Sequence, residues 1–160
     1  MDSTGSFKAA LHLETEEIEP PKRIAHDLKV GPLDTVFVLW RLRLVYEEPL
    51  TLMVNYLPSR LVPGFLEKAA RRESLYETLV KEYDLVATRA VDMVEARLAT
   101  DEEAKRLRID PWAPLLCVTR ASYLLDGRPL EVELAISRRD RCQYRVEPHG
   151  RARRNSLDNS

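Results

Sequence analysis

Arg41 and Arg43 stand inside the most apolar stretch of the chain, TVFVLWRLRLVY from Thr35 to Tyr46, and they are the residues with the plainest chemistry to offer. Side chains of a β-strand alternate, so residues two apart share a face and the two guanidiniums lie beside Phe37 and Leu39. Val36, Val38, Trp40, Leu42 and Leu44 fill the other face. Two cations on a largely apolar sheet face are costly unless an anion meets them, and the guanidinium fork matches the oxygens of carboxylate and phosphate. The pair is therefore read as an anion site. The competing reading has both side chains snorkelling to water, or pairing with a distant Glu95 or Glu131. Ser74 favours the first, because it opens a predicted helix whose N-terminus offers free N–H groups and a hydroxyl if it faces the sheet.

Other chemistries find few residues. His12 and His149 fall near the ends of the chain and His26 on a short predicted helix, so none is placed with a nucleophile or a second ligand. No catalytic residue and no metal site are expected. The five glycines form no nucleotide-cradling motif, and no cofactor is expected either. Cys117 and Cys142 make no CxxC and read as buried, reduced packing residues. Glu131 and Glu133 form a possible carboxylate pair but more simply neutralise Arg120. A net charge of −1 provides no bulk basic field for nucleic acid. The absence of an apolar run of about 20 residues or of a secretory leader points to a cytoplasmic chain away from membranes.

The elements that must position the arginines follow from periodicity. KRIAHDLKV from Lys22 reads as a short helix stopped by Gly31-Pro32, and residues 35–57 as a hairpin turning at Glu47-Glu48-Pro49. No carboxylate in Thr51 to Asn55 faces Arg41 or Arg43 across that hairpin, so both lack a cross-strand partner. FLEKAARRESLYETLVKEY is helical in two pieces, with Ser74 and Glu77 at capping-box spacing, an apolar stripe of Leu75, Leu79 and Val80, and Asp84 at the left-handed end. Leu85 to Leu98 reads as a strand, and Thr100 with Glu103 caps a further helix. The hairpin LLCVTRASYLLDGRPLEVELAIS turns at Asp126-Gly127, and a two-residue turn there sets Arg120 opposite Glu133 and Ser122 opposite Glu131. A last strand is expected from Arg141 to Glu147.

The chain also repeats itself. A shift of 79 residues lays Ala25 on Ala104, Leu28 on Leu107, Pro32 on Pro111, Val36 on Leu115 and Arg41 on Arg120. Two copies of helix, strand, turn and strand make one duplicated domain. With 160 residues and 44% apolar content, a single core is expected. The fold class is α+β, an antiparallel sheet of about six strands flanked by helices. Residues 1–21 are read as an added scar followed by a linker, or as a flexible arm, 22–147 as the domain and 148–160 as a flexible tail.

VFVLWRLRLVYEEPLTLMVNYLP, SLYETLVKEYDL, DEEAKRLRIDPWAPLLCVTRASYLLDGRPLEVE and SRRDRCQY, in that order, resemble the effector-binding UTRA domain of GntR-type transcription regulators of the HutC subfamily, from about Lys22 to Glu147. The resemblance implies a chorismate lyase-like fold and a cytoplasmic homodimer. It further implies a small anionic effector, a phosphosugar or an organic acid, and operator DNA held only through a winged helix-turn-helix not found before Lys22. By that likeness Arg41 and Arg43 hold the effector's anion, Ser74 supplies a hydroxyl from the facing helix, and Glu131 is the acid after the second turn. Met53 stands where a Glu is usual, Ser137 and Cys142 replace aromatic positions, and Asp84 replaces a Gly, so a differently shaped effector is implied. The alternatives are an enzyme related to chorismate lyase, with the arginines on a substrate carboxylate, or a stand-alone binder of small acids.

Overall fold

The computed structural model describes residues 8–69, 74–140 and 142–149. Six strands form one antiparallel sheet: β1 (Lys8–Ile18), β2 (Val36–Val45), β3 (Glu48–Pro58), β4 (Arg89–Leu98), β5 (Pro114–Tyr123) and β6 (Pro129–Arg138), in the order β1-β2-β3-β6-β5-β4. Helix α1 (Lys22–Leu28) links β1 to β2, α2 (Phe65–Ala69) and α3 (Leu75–Tyr83) fall between β3 and β4, and α4 (Asp101–Leu107) links β4 to β5. The duplication is therefore wider than the sequence alignment suggests. Each half is strand, helix, strand, strand, with β3 and β6 paired at the centre, β1 and β4 as equivalent edges, and α2 and α3 inserted between the halves.

Alternation assigns each face its cover. Val36, Val38 and Leu42 of β2, Leu52 and Val54 of β3, Val132 and Ile136 of β6, and Leu115 and Cys117 of β5 pack beneath α1 and α4 through Ile24, Leu28, Ala104 and Leu107. On the other face Phe37, Leu39 and Leu57 meet Phe65, Leu75 and Leu79 of α2 and α3, with Leu124 and Leu130. That second cluster covers only the part of the face next to α2 and α3, and the rest of the face sets polar and charged side chains among Met53, Ala135 and Val118.

The helix ends are as the spacing predicts. Thr100 accepts from Glu103 N–H at 3.2 Å while the Glu103 carboxylate returns to the Thr100 N–H at 3.4 Å, a complete capping box. Ser74 Oγ accepts from Glu77 N–H at 3.3 Å, and Asp84 ends α3 with φ 54°. Val80, expected on the apolar stripe of α3, is 45% exposed, while Leu75, Thr78 and Leu79 are the residues of that helix that are buried.

Several expectations are corrected. The arm expected over residues 1–21 contains β1, which runs along β2 from the Lys8–Val45 pair to the Ile18–Val36 pair. The expected last strand is absent: residues 142–149 carry no regular structure, and Tyr144 donates to Asp92 Oδ2 at 2.6 Å from that segment. Cys117 is buried and Cys142 only half-buried, and both are free thiols. The tip of the second hairpin is a three-residue loop closed by Leu124 N–H to Arg128 C=O at 2.9 Å, with Gly127 at φ 86°. A bulge at Ser122/Tyr123 then restores the register, so Arg120 still faces Glu133 and Ser122 still faces Glu131. Residues 1–7 of the segment expected as scar, linker or arm, and residues 150–160 of the tail expected over 148–160, lie outside the described residues.

Candidate functional site

The polar part of the sheet face is built by register. Arg41 lies opposite Met53, and Met53 opposite Ala135 of the central partner strand. Two pairs along the ladder in one direction, on the same face, Arg43 faces Thr51 and Thr51 faces Ser137. Two pairs in the other direction, a continuous row on the same face runs Leu39, Asn55, Glu133, Arg120, Asp92 across five strands. Glu131 follows Glu133 on the same face of β6, toward α3.

Asn55 is the hub. Fully buried in β3, it accepts from Arg41 Nη2 through Oδ1 at 2.7 Å and donates through Nδ2 to Glu131 Oε1 at 2.5 Å and to Glu133 Oε2 at 2.8 Å. Arg41 Nη2 also stands 3.8 Å from Glu133 Oε2. One amide thus carries a cation on its acceptor side and two carboxyls on its donor side, which exhausts its hydrogen-bonding capacity on that side. Two buried atoms of this cluster remain without a partner among the described residues: Arg41 Nε, a donor, and Glu131 Oε2, which accepts when the carboxyl is ionised and donates when it is protonated. Buried polar groups in folded proteins are nearly always satisfied, so an orphan donor and an orphan carboxyl oxygen on adjacent side chains mark a place where a polar guest belongs.

Electrostatics follow the same geometry. Burial, and then the charge of Glu133, push the Glu131 carboxyl up to about 7, against partial relief from Asn55, Arg41 and the Tyr76 hydroxyl. Tyr76, on the first turn of α3, is itself pushed up to about 12 by burial and by the two carboxyls. At the far end of the row Arg120 grips Asp92 at 2.7 and 2.8 Å and, with the Tyr144 hydroxyl, holds that carboxyl down at about 2 against burial.

The sequence expectations are only partly met by this arrangement. Arg120 is satisfied by Asp92 of β4 and not by Glu133, because β4 lies on its other side and its carboxylate presents both oxygens. Glu133 is thereby left to face Arg41, which is not without a carboxylate: its neighbour comes from β6 across β3, beyond the hairpin partner. Among the proposed site residues, Arg41, Met53 and Glu131 share one cluster. Glu131 is 1% exposed and Met53 is 5% exposed. Arg43 and Ser137 lie one row on. Arg43 is exposed with Nη2 3.7 Å from Met53 Sδ, and Ser137 is buried with its hydroxyl 2.9 Å from that of Thr51. Ser74 is exposed at the start of α3 and reaches the cluster only through Tyr76, two residues on. Asn55, Asp92 and Tyr144 were not singled out by sequence, and Tyr76 reads there as a packing residue at the edge of the α3 stripe. The one available signal was Asn55, the single amide in the apolar run LTLMVNYL.

The description of the UTRA domain matches residues 9–143 of this chain. The HTH-type transcriptional repressor NagR of Bacillus subtilis is 27% identical over 144 residues, which are 90% of this chain and 59% of the repressor. This chain thus spans about three-fifths of that relative's length. The ligand-binding domain of a GntR-family transcriptional regulator from Bordetella bronchiseptica is 28% identical and superposes with a TM-score of 0.82, over 89% of this chain and 91% of that one. The effector domain of PhnF from Mycobacterium smegmatis, 24% identical, has the same fold with a TM-score of 0.81, over 89% of this chain and 88% of that one.

Proposed function

The chain belongs to the UTRA-domain family, and from that premise we propose that it is the effector-sensing part of a GntR-type regulator of the HutC subfamily. Its ligand is a small anionic metabolite, a phosphosugar or an organic acid. Arg41 and Arg43 receive the anion, Glu131 takes a hydrogen bond from a donor on the same molecule, and Met53, Ser137 and the Ser74 end of α3 line the surroundings. The observation that carries this reading is the pair of buried atoms left open beside Asn55, Arg41 Nε and Glu131 Oε2. A ligand that both accepts and donates closes both at once.

In this reading the domain binds without turnover in a cytoplasmic homodimer, and operator DNA is held by a winged helix-turn-helix of the whole regulator. Ligand then acts by differential affinity for two placements of the DNA-binding parts, which shifts their populations. Thermal-shift screening of phosphorylated sugars and small acids tests the site. At least one compound should raise the melting temperature of the wild type, be recovered unchanged, and have no effect on Arg41→Ala or Arg43→Ala. Stabilisation that survives both substitutions removes the arginines from the site, and a compound consumed on incubation makes the domain an enzyme.

A further inference from the structure

The sheet face opposite the anion site carries a difference between the two repeats. Each short helix lies over strands of the other half: α4 sets Arg106 over the Trp40 ring at 5.0 Å, and α1 sets Arg23 Nη2 3.7 Å from Met93 Sδ of β4. The 79-residue shift that relates the halves carries Val38, Trp40 and Leu42 of β2 onto Cys117, Thr119 and Ala121 of β5, each of them smaller. Beneath α4 the space is filled, because Trp40 packs against the core and Arg106, bonded to Glu102 and Glu14, closes over its ring. Beneath α1 the smaller residues leave a cavity of about 190 Å³, whose apolar lining includes Ile24, Cys117, Leu134 and Ile136. Protein interiors hold few voids larger than a water molecule, whereas this one has room for about six at ~30 Å³ each. Its polar residues are unequally engaged. Arg97 gives both terminal nitrogens to Glu103 at 2.8 Å, and burial pushes the Cys117 thiol up, so that it stays protonated and acts as a small apolar surface. Arg23 and Glu95 also line the cavity and are exposed, one from α1 and the other from β4. Among the described residues neither forms an ion pair, and Arg23 donates only to the Met93 sulfur.

We infer that this cavity is a second ligand site, which takes a free α-amino acid with an aliphatic side chain of about leucine's size. The apolar lining receives the side chain, the Arg23 guanidinium the carboxylate, and the Glu95 carboxylate the ammonium group. Two free charges of opposite sign at one cavity are answered together by a ligand that carries both on neighbouring atoms. A plain acid meets Glu95, and a plain amine meets Arg23, as a like charge. Burying the side chain favours leucine over glycine by about ten- to a hundredfold in affinity. The site lies on the other face of the sheet from Arg41 and Asn55 and is independent of the effector proposed there.

The test uses the 160-residue chain, L-leucine as the probe, and methyl NMR with isothermal titration calorimetry. L-Leucine should shift the methyl resonances of Ile24, Leu134 and Ile136 and leave those of Leu124 and Leu130, on the other face, in place. Glycine, isovalerate and isoamylamine, which lack the side chain, the ammonium and the carboxylate in turn, should each bind at least about tenfold more weakly. Arg23→Ala should cost L-leucine about tenfold and not weaken isoamylamine, and Glu95→Gln should cost L-leucine about tenfold and not weaken isovalerate. Thr119→Trp gives the second repeat the residue of the first and should remove binding, with circular dichroism melting as the check of folding. Thr119→Leu serves the same purpose if the tryptophan variant does not fold. Shifts confined to Leu124 and Leu130 place the probe at the anion site and overturn the second one. An absence of shifts, or binding indifferent to both Thr119 substitutions, overturns it as well. Isovalerate or isoamylamine binding as tightly as L-leucine overturns the amino-acid assignment.

Discussion

Replacing Glu131 by Gln isolates the energetic consequence of the buried carboxyl. Its carboxyl is 1% exposed, gives one oxygen to Asn55 and leaves the other unpartnered beside Glu133. Its proton is held from an ordinary value of 4.5 up to about 7. Between those two values the folded protein keeps a proton that the unfolded chain has lost. Unfolding free energy therefore falls as pH rises through this window and is flat on either side. The gap, at about 1.4 kcal/mol per pH unit, comes to about 3 kcal/mol of stability present at pH 4 and absent at pH 8. Glu131→Gln keeps an oxygen for Asn55 and carries no charge, so it should match the wild type within about 1 kcal/mol at pH 4 and exceed it by about 3 kcal/mol at pH 8. Urea unfolding at one-unit steps from pH 4 to pH 8 reads the difference directly. A difference that does not grow with pH, or a variant weaker than the wild type at pH 8, refutes the assignment of a protonated, buried Glu131. The same variant should lose any ligand stabilisation that depends on donation to Oε2.

The two arginines should separate by stability. Arg43→Ala should change unfolding free energy by no more than about 0.5 kcal/mol, since among the described residues its exposed guanidinium contacts Met53 Sδ alone, whereas Arg41→Ala should cost about 2 kcal/mol by stripping Asn55 Oδ1 of its donor. Equal losses in urea unfolding contradict the geometry. Asp92→Asn should remove an acid limb of the stability profile. The wild-type carboxyl, held at about 2, contributes stability above its ordinary 3.8 that is lost as pH falls through about 2, and the Asn variant should show no such loss. Thr100→Ala breaks the capping box of α4 and should lower stability by about 1 kcal/mol at every pH, measured by thermal or urea unfolding.

Much of the architecture was legible because it is written locally. The alternation of β2, the Ser74 and Thr100 caps and the left-handed Asp84 each depend on residues within a turn or a strand of one another, and the 79-residue repeat shows the same local pattern twice. The placement of Arg41 and Arg43 on one face with Phe37 and Leu39 needed nothing more than the two-residue period of a strand. β1 was not legible. HLETEEIE has no apolar face of its own, and it is a strand because it completes the ladder of β2. The expected strand after Arg138 failed for the converse reason: its alternation is suitable, but among the described residues no ladder receives it.

The ion pairs were decided by sheet order. Hairpin register alone sets Arg120 opposite Glu133, and so it stands, yet which carboxylate the guanidinium takes depends on β4 lying on its other side with Asp92 in the same row. Once Asp92 has claimed Arg120, Glu133 turns to Asn55 and Arg41, contacts made across the β3–β6 junction with residues 78 and 92 positions away. Alternation along the chain determined which residues share a face. Only the joining of the two repeats at β3 and β6 determined which of them touch, because side-chain partners across a sheet are set by strand neighbours and not by distance in sequence.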